Sequence, residues 1–395
     1  MQKNWAYIAA LALGALVSPS AAAQELGVRG GVSPIHEKGR FSIVAENDAF
    51  TFYLPGMTDR FYTNGVYLAS EWSSPLVDDW TRNVTFGELV PSEHRAYFGF
   101  GFTHELHTPE TINPCGAKYN DPLATSEEPR DVGYDNCKAA ENDWREHYAD
   151  EDQPFSALWS LFISAQRYFD AGRTHGAFSE LRIWARVDLG QYGEDAARGY
   201  EVQKYWHGFF NQAVLGSKDE PAATPMGWKL GEPGTDASWL VQGSIGSDLN
   251  LYRETLGSIA WPLGFELVGR GHSRVGSARN DLGADVVVRL GLLPEHASLP
   301  LKEPGQYQAS NLYIEGSAGG VAVLTDATQG AFDDYRHFLD GYSLGLHAKA
   351  MGAGLSLSLN WERIAFLHPL KPYPSHETID ETYHRYGRAA LEFSY

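Results

Sequence analysis

Polar and apolar residues alternate in segment after segment of this 395-residue chain. In the clearest case, residues 355–362 read Leu-Ser-Leu-Ser-Leu-Asn-Trp-Glu. A period of two residues is the repeat of a β-strand with one buried face, because successive side chains point to opposite sides. We find twelve such segments and therefore predict an all-β protein. They cover residues 41–48, 60–71, 97–107, 155–168, 177–190, 239–251, 257–271, 281–292, 311–326, 341–350, 354–366 and 384–395.

The composition favours a membrane β-barrel over a soluble β-sandwich. The chain has 41 Gly, 21 Tyr, 19 Phe and 11 Trp, and aromatic residues form the interfacial girdles of membrane barrels. The last predicted strand ends at an aromatic residue, Tyr395, which a sandwich does not require. A mean hydropathy of −0.33 excludes a helical membrane protein but suits a barrel, whose lumen is polar. Since the strand number is also even, we predict a 12-stranded antiparallel transmembrane β-barrel.

The start of the chain indicates export. An apolar run followed by small residues is typical of a signal peptide over residues 1–23, cleaved near Ala23 and Gln24. Residues 24–40 would then be a periplasmic segment, and residues 41–395 would form the barrel. The formal charge of −19 argues against nucleic acid as a partner, because nucleic-acid binding needs a basic face.

Strand parity predicts the orientation of the barrel. If the N-terminus is periplasmic, the loops 108–153 and 192–238 lie outside the cell, where long barrel loops belong. The first loop contains Cys115 and Cys137, which we expect to form a disulfide in an exported protein; a metal site is the weaker alternative. In the second loop the period changes, and residues 193–212 are predicted to form a helix with acidic residues at its start.

Oxygen-bearing side chains are concentrated where the first predicted strand ends and the second begins. Glu46, Asn47 and Asp48 end one strand, and Thr63 and Asn64 lie near the start of the next. Pairing of the two strands would bring these side chains together at one rim, where a hard cation such as calcium could bind. The alternative is an ordinary polar hairpin end, because Asn and Asp also favour turns.

Two sequence blocks are distinctive. They are Val44-Ala45-Glu46-Asn47-Asp48 followed by Asp59-Arg60 and Tyr62-Thr63-Asn64-Gly65, and Glu201-Val202-Gln203 with His207 followed by Gly227-Trp228. In these blocks the chain resembles the outer-membrane lipid A 3'-O-deacylases, which remove an acyl chain from lipopolysaccharide at the cell surface. The resemblance implies a calcium-dependent 12-stranded barrel in the outer membrane. It also implies an active site between the barrel wall and a helix of an extracellular loop.

The resemblance assigns roles to five residues. Asn47, Asp48 and Thr63 would belong to the catalytic centre and bind calcium. Gln203 and His207 are four residues apart and would project from one face of a helix. His207 would be the general base that activates water, and Gln203 would orient water or substrate. Bound calcium would stabilise the oxyanion.

Departures from the family pattern leave alternatives open. Family members carry an acidic residue shortly after the helical His, but position 213 is Ala, so Asp219 or Glu220 would have to replace it. The loop 108–153 is enlarged.

The alternatives to a lipid A deacylase are an outer-membrane phospholipase or esterase with the same centre, and a non-catalytic pore or surface barrel. A pore does not need the rim residues and His207, so their grouping favours an enzyme. The oligomeric state does not follow from the sequence.

Overall fold

The structure is a computed structural model that describes residues 39–47, 61–108, 156–172, 176–193, 237–255, 263–293, 311–326, 337–350, 353–363 and 383–394. These residues form twelve strands and a short helix. The strands are β1 (Gly39–Asn47), β2 (Phe61–Ser73), β3 (Val90–Thr108), β4 (Ser156–Asp170), β5 (Glu180–Gly193), β6 (Ser238–Thr255), β7 (Gly264–Gly276), β8 (Arg279–Leu292), β9 (Asn311–Asp326), β10 (Phe338–Ala350), β11 (Ala353–Arg363) and β12 (Tyr383–Ser394). The helix, α1 (Pro75–Thr81), lies between β2 and β3.

The twelve strands form a closed barrel. Each strand pairs antiparallel with its neighbours along the chain, and β1 pairs with β12 to complete the ring. In this closing pair Arg40 lies opposite Ser394, and Asn47 lies opposite Gly387. Closure leaves no edge strand with unpaired backbone groups, which is what hydrocarbon requires of a membrane-spanning sheet. The predicted 12-stranded antiparallel barrel is confirmed. We call the barrel end at Asn47 the upper rim and the end at Gly39 the lower rim.

The two faces of the wall differ in chemistry, as the alternation predicts. In β5, Val187 and Leu189 point outward and are exposed, whereas Arg186 and Asp188 point into the lumen and are buried. In β12, Glu392 is likewise buried between two exposed apolar neighbours. The outward face is therefore an apolar belt, and the lumen face is polar, as in membrane barrels.

Charged side chains fill part of the lumen by pairing with one another. Arg270 lies 3.7 Å from Asp285 and 3.5 Å from Glu315. Arg289 lies 2.7 Å from Glu315 and 2.9 Å from Glu266. These side chains are largely withdrawn from solvent, so each charge depends on its partners for stabilisation. The lumen between β7, β8 and β9 is therefore occupied by an ionic network.

Several strands have different ends in the structure: β3, for example, begins at Val90 rather than at residue 97. The seventh strand is displaced along the chain. The sequence placed the seventh strand at residues 257–271, whereas β7 spans Gly264–Gly276. The strand continues past Gly271 because the next charged residues point into the lumen and pair with β8. Arg274, for example, lies 2.6 Å from Asp281. As a result, the connection between β7 and β8 is a turn of two residues, and the connection between β6 and β7 is longer than predicted.

The connection between β2 and β3 contains a helix that the alternation did not predict. The hydroxyl of Ser74 accepts a hydrogen bond of 3.3 Å from the backbone N–H of Val77, and Pro75 occupies the first turn, so the sequence carries a regular helix start. In the part of the chain that the structure describes, no helix is long and apolar enough to cross a membrane.

Several predictions fall outside the described residues. They are the signal peptide, nearly all of the loops 108–153 and 192–238, the helix at 193–212, and the disulfide between Cys115 and Cys137. These stay predictions.

Gly101 permits a close approach between three strands. It faces the lumen from β3, beside β2 and β4. A Cβ atom at this position would lie 2.2 Å from the carbonyl oxygen of Leu68 and 2.4 Å from the ring of Phe162. The carbonyl oxygen of Leu68 belongs to the backbone of the paired strand β2, so it can move very little.

We predict that Gly101→Ala destabilises the barrel by about 1–3 kcal/mol, the usual cost of overpacking a well-packed site. Urea unfolding of the protein in detergent micelles, followed by heat-modifiable gel mobility, measures the loss. Gly243→Ala is the matched control, because the nearest atom to its new Cβ would lie 3.8 Å away. Equal stability of the two variants would contradict the prediction.

Candidate functional site

The backbone of two predicted site residues lies at the upper rim. Asn47 is the last residue of β1, and it lies opposite Asn64 of β2 and Gly387 of β12. Thr63 immediately precedes Asn64, so the ends of the two strands bring Asn47 and Thr63 to the same stretch of rim. The structure thus brings these two positions together. Asp48, Gln203 and His207 lie outside the described residues, and their roles stay predictions.

The pairing of β2 with β3 is irregular at Thr63. Tyr62 lies opposite His107 and Asn64 lies opposite Leu106, so Thr63 is the extra residue of a β-bulge. A bulge bends its strand and changes the direction of the local side chains, and bulges are over-represented at barrel rims and beside active sites. The bulge therefore falls on Thr63, which the sequence analysis selected as a candidate site residue at this rim.

Four lumen side chains meet directly below this part of the rim. The hydroxyl of Tyr67 lies 3.0 Å from a carboxylate oxygen of Glu105 and 3.3 Å from one of Glu46. The guanidinium of Arg388 lies 3.3 Å from the other oxygen of Glu46. Gly65 lies opposite both Glu46 and Glu105 in the sheet, so no side chain separates the two carboxylates. We call Glu46, Tyr67, Glu105 and Arg388 the sub-rim cluster.

The sub-rim cluster links β1, β2, β3 and β12. Glu46, Tyr67 and Glu105 are buried, and charge-assisted hydrogen bonds to a buried carboxylate are stronger than neutral ones. These contacts connect the strand that ends at Asn47 to its neighbours on both sides. The cluster therefore fixes the backbone from which the predicted rim residues project.

A second buried layer lies further into the lumen around Arg186. Its guanidinium donates hydrogen bonds of 2.8 Å to Asp188 and 2.9 Å to the hydroxyl of Thr103. Ser160 donates a hydrogen bond of 2.8 Å to the same Asp188. The guanidinium also lies 3.6 Å from the ring centroid of Phe162, a cation–π contact. Because its charges are paired and its hydrogen-bond donors have acceptors, we expect this layer to stabilise the barrel wall rather than to take part in a reaction.

The structure excludes one serine candidate. Gly341-Tyr342-Ser343-Leu344-Gly345 has the G-x-S-x-G spacing of serine hydrolases. In those enzymes the serine lies on a sharp turn between a strand and a helix. Ser343 instead lies within β10, paired on both sides, and its hydroxyl lies 2.6 Å from that of Ser317. This pentapeptide is ordinary barrel wall.

Sequence reasoning found part of the site. It singled out Glu46 at the end of the first strand, but it did not bring Glu46 together with Tyr67 and Glu105, and it did not single out Arg388. The signal was present in the alternation, because all four residues are polar and face inward near the same rim. Within the described ranges, no group of three or more His, Cys, Asp and Glu side chains is arranged to hold a metal ion. Of the predicted calcium ligands, Asn47 and Thr63 are described by their backbone, and Asp48 lies outside the described residues.

The closed barrel with an apolar outer belt and a polar lumen defines the class of the protein. It is an outer-membrane β-barrel protein. The family model for "Outer membrane protein LpxR" matches residues 8–124, a range that contains Asn47, Asp48 and Thr63. The match contains the first of the two sequence blocks, and it confirms that the chain is similar to the LpxR outer-membrane proteins.

Solved structures were compared with the barrel. LpxR from Salmonella typhimurium has a TM-score of 0.54 and 17% sequence identity, and the match covers 90% of this chain and 100% of that one. The β domain of the Bordetella autotransporter Brka has a TM-score of 0.40 and 10% identity, over 91% of this chain and 100% of that one. A search of curated proteins found no match. The first likeness supports the barrel architecture, and the second is too weak to support an argument.

We predict that the ion pair in the sub-rim cluster is strongly coupled. Arg388→Gln leaves the buried carboxylate of Glu46 without its guanidinium, and breaking a buried pair in this way costs about 3–5 kcal/mol. Glu46→Gln should also destabilise, whereas the double variant should lose much less than the sum of the two. Urea unfolding of the parent, the two single variants and the double variant in one detergent gives the coupling free energy between the two side chains. Additive losses would show that the two side chains do not stabilise each other.

Proposed function

We propose that this protein is an outer-membrane lipid A deacylase, which hydrolyses the 3'-linked acyl or acyloxyacyl ester of lipopolysaccharide. The observation that carries the proposal is the placement of the first sequence block. Asn47 ends β1 beside Asn64 of β2, and the adjacent Thr63 forms a bulge at the same rim. The family match over residues 8–124 includes this block and supports the same assignment.

The proposed orientation puts the upper rim on the cell surface. Lipopolysaccharide lies in the outer leaflet, so an enzyme that acts on lipid A there needs its site at the outward end of the barrel wall. Strand parity with a periplasmic N-terminus places Asn47 and Thr63 at that end. The loop with residues 193–212 would emerge from the same rim, because β5 ends there at Gly193.

The chemistry assigned to the site is direct attack of water on the ester. His207 takes a proton from the attacking water, and Gln203 holds that water or the substrate in position. When the tetrahedral intermediate collapses, the proton passes to the departing alcohol of the sugar, and the fatty acid is released. Both residues lie four positions apart in one segment, so a helix would present them on one face.

The donor set of the first block suits calcium. Asn47, Asp48 and Thr63 offer amide, carboxylate and hydroxyl oxygens and no thiolate, which is the ligand chemistry of a hard cation. Bound there, calcium would supply positive charge for the developing oxyanion. The sub-rim cluster contributes by holding β1 against both of its neighbours, so that the donors stay at fixed positions.

A conducting pore agrees less well with the structure. The described lumen holds the paired charges of Arg270, Arg289 and Glu315 and the buried layer around Arg186. These side chains occupy space that a conducting pore would leave open.

A phospholipase or other esterase with the same rim residues is distinguished from a lipid A deacylase by its product. Mass spectrometry of lipid A from cells with and without the protein tests this directly. Loss of the 3' acyl chain is expected. Unchanged lipid A together with released phospholipid fatty acid would reject the proposal in favour of a phospholipase.

Activity is predicted to depend on calcium. Chelation with EGTA should abolish deacylation of purified lipopolysaccharide, and added calcium should restore it. Asp48→Ala should lose most of the activity at ordinary calcium concentrations, because it removes the carboxylate of the proposed donor set. The variant should keep the parent's heat-modifiable mobility, since Asp48 follows the last residue of β1. Full activity in the presence of chelator would refute the role given to the cation.

Activity is also predicted to require His207. Removal of a general base usually costs about 10²- to 10⁴-fold in rate, so His207→Ala should show a loss of that size. Gln203→Ala should lose less, because orienting a group is a smaller task than accepting the proton. The hydrolysis rate of the parent protein should fall as the pH drops below the ordinary imidazole pKa, because a protonated imidazole cannot accept a proton.

The control separates catalysis from folding. If His207 is only structural, His207→Ala will lower the yield of folded barrel, and the rate per folded barrel will equal that of the parent. Rates are therefore divided by the fraction of protein with folded gel mobility. A folded His207→Ala protein that releases the 3' chain at the parental rate would end the proposed mechanism.

A further inference from the structure

The outer wall of the barrel is covered at one place near the lower rim. Along β4, Leu161 and Ile163 point outward and are 55% and 53% exposed. The same alternation puts Arg167 and Phe169 on that outward face, yet they are only 5% and 2% exposed. Ile183, which lies opposite Arg167 on β5, belongs to the outward face as well. Something other than the wall itself therefore shields these two residues.

The shield is the connection between β2 and β3. Asp78 of α1 forms an ion pair with the guanidinium of Arg167. Phe86 packs edge-on against Phe169, with ring centroids 5.0 Å apart. The backbone N–H of Ser74 donates a hydrogen bond of 2.8 Å to the carbonyl of Ala96, which fastens the start of the connection to β3. Residues 74–89, which we call the clamp, thus lie against the outside of the wall.

The clamp has an apolar side that is largely exposed in the described structure. Leu76 and Trp80 are 78% and 85% exposed. They lie four residues apart and so share one side of α1. Asp79 and Arg82 are also exposed and pair with each other. Asp79, three residues after Leu76, lies at the edge of the apolar side, and Arg82 lies further around the helix. The helix therefore presents one side toward the wall and an apolar side that is bordered by a charged pair.

The apolar face continues an aromatic girdle. Trp72, at the end of β2, packs against Phe98 of β3 on the outward face, with ring centroids 5.5 Å apart. Aromatic residues at the end of a barrel wall mark the boundary between hydrocarbon and headgroups. The clamp begins two residues after Trp72, so it lies at the depth of this girdle. At that depth a large apolar side chain is stabilised by lipid, whereas in water it would be costly.

We propose that the clamp is a lipid-binding anchor at the lower rim. Leu76 and Trp80 insert among the phospholipid acyl chains of the adjacent leaflet, and Asp79 and Arg82 lie in the headgroup layer. The occupant of the apolar face is the bilayer itself, because that face is continuous with the girdle that already contacts lipid. Under the orientation proposed above, the leaflet is the periplasmic one. The inference does not depend on the catalytic activity or on which leaflet is involved.

Site-directed fluorescence tests the anchor in the full-length chain. Leu76→Cys and Trp80→Cys are labelled with bimane and reconstituted into phosphatidylcholine vesicles with and without brominated phospholipid. Leu161→Cys is the control for lipid contact, and Asp79→Cys is the matched control on the same helix. The parent chain, labelled in parallel, gives any background from Cys115 and Cys137.

Lipid contact predicts blue-shifted emission at positions 76 and 80. Brominated lipid should quench these labels about as strongly as the label at 161, and aqueous iodide should quench them little. The label at 79 should respond mainly to iodide. Iodide quenching at 76 and 80 equal to that at 79 would overturn the proposal, because the face would then be in water. Protection from both quenchers would also overturn it, because a protein surface would then cover the face.

Folding is checked by heat-modifiable mobility for each labelled protein. If Trp80→Cys does not fold, Leu76→Cys, one turn away, provides the same test. Trp80→Phe provides a label-free version: the parent-minus-variant tryptophan emission should be blue-shifted and quenched by brominated lipid. A difference spectrum typical of tryptophan in water would count against the anchor.

Discussion

Every backbone hydrogen-bonding group in the wall needs a partner within the protein, because hydrocarbon offers none. This constraint is concentrated in β1, a strand of nine residues that pairs with β2 on one side and β12 on the other. The strand that closes the barrel also ends at Asn47, so closure places the candidate site. A register shift of one residue would turn Glu46 from the lumen to the lipid and break the sub-rim cluster. The register that closes the barrel therefore also sets the geometry of the candidate site.

The faces of the strands could be predicted from the sequence, because lipid and lumen impose opposite polarities on alternate residues. Phe98 and Phe100, for example, point outward as their alternation with Gly99 and Gly101 indicates. Strand ends were harder to predict. β7 continues through Arg274 because Asp281 neutralises it from the next strand, and alternation within one segment contains no information about that partner. The clamp was not predicted for the same reason: its register against the wall depends on Arg167, far away in sequence.

The candidate site was only partly predictable. Oxygen-bearing side chains at two strand ends predicted that Asn47 and Thr63 would meet at a rim, and the backbone agrees. The bulge at Thr63 is a mismatch between the registers of two strands, so no local pattern reveals it. The pairing of Glu46 with Arg388 joins the first strand to the last, and only the closed ring brings them together. Sequence thus brought Asn47 and Thr63 to one rim but did not reveal the side chains that hold their strands in place.

The clamp explains an otherwise irregular feature of the barrel. The connection between β2 and β3 at the lower rim is long, whereas the connection between β10 and β11 at the same rim is short. Arg167 faces outward, and an arginine exposed to hydrocarbon is costly on a barrel wall unless it is near an interface or has a partner. A connection long enough to fold back supplies that partner, Asp78, and covers the pair. The segment that neutralises a charge on the lipid face then becomes a new lipid-facing surface itself, because its outer side carries Leu76 and Trp80. The outward charge of Arg167 on β4 is therefore the contact that links the connection and its helix to the wall.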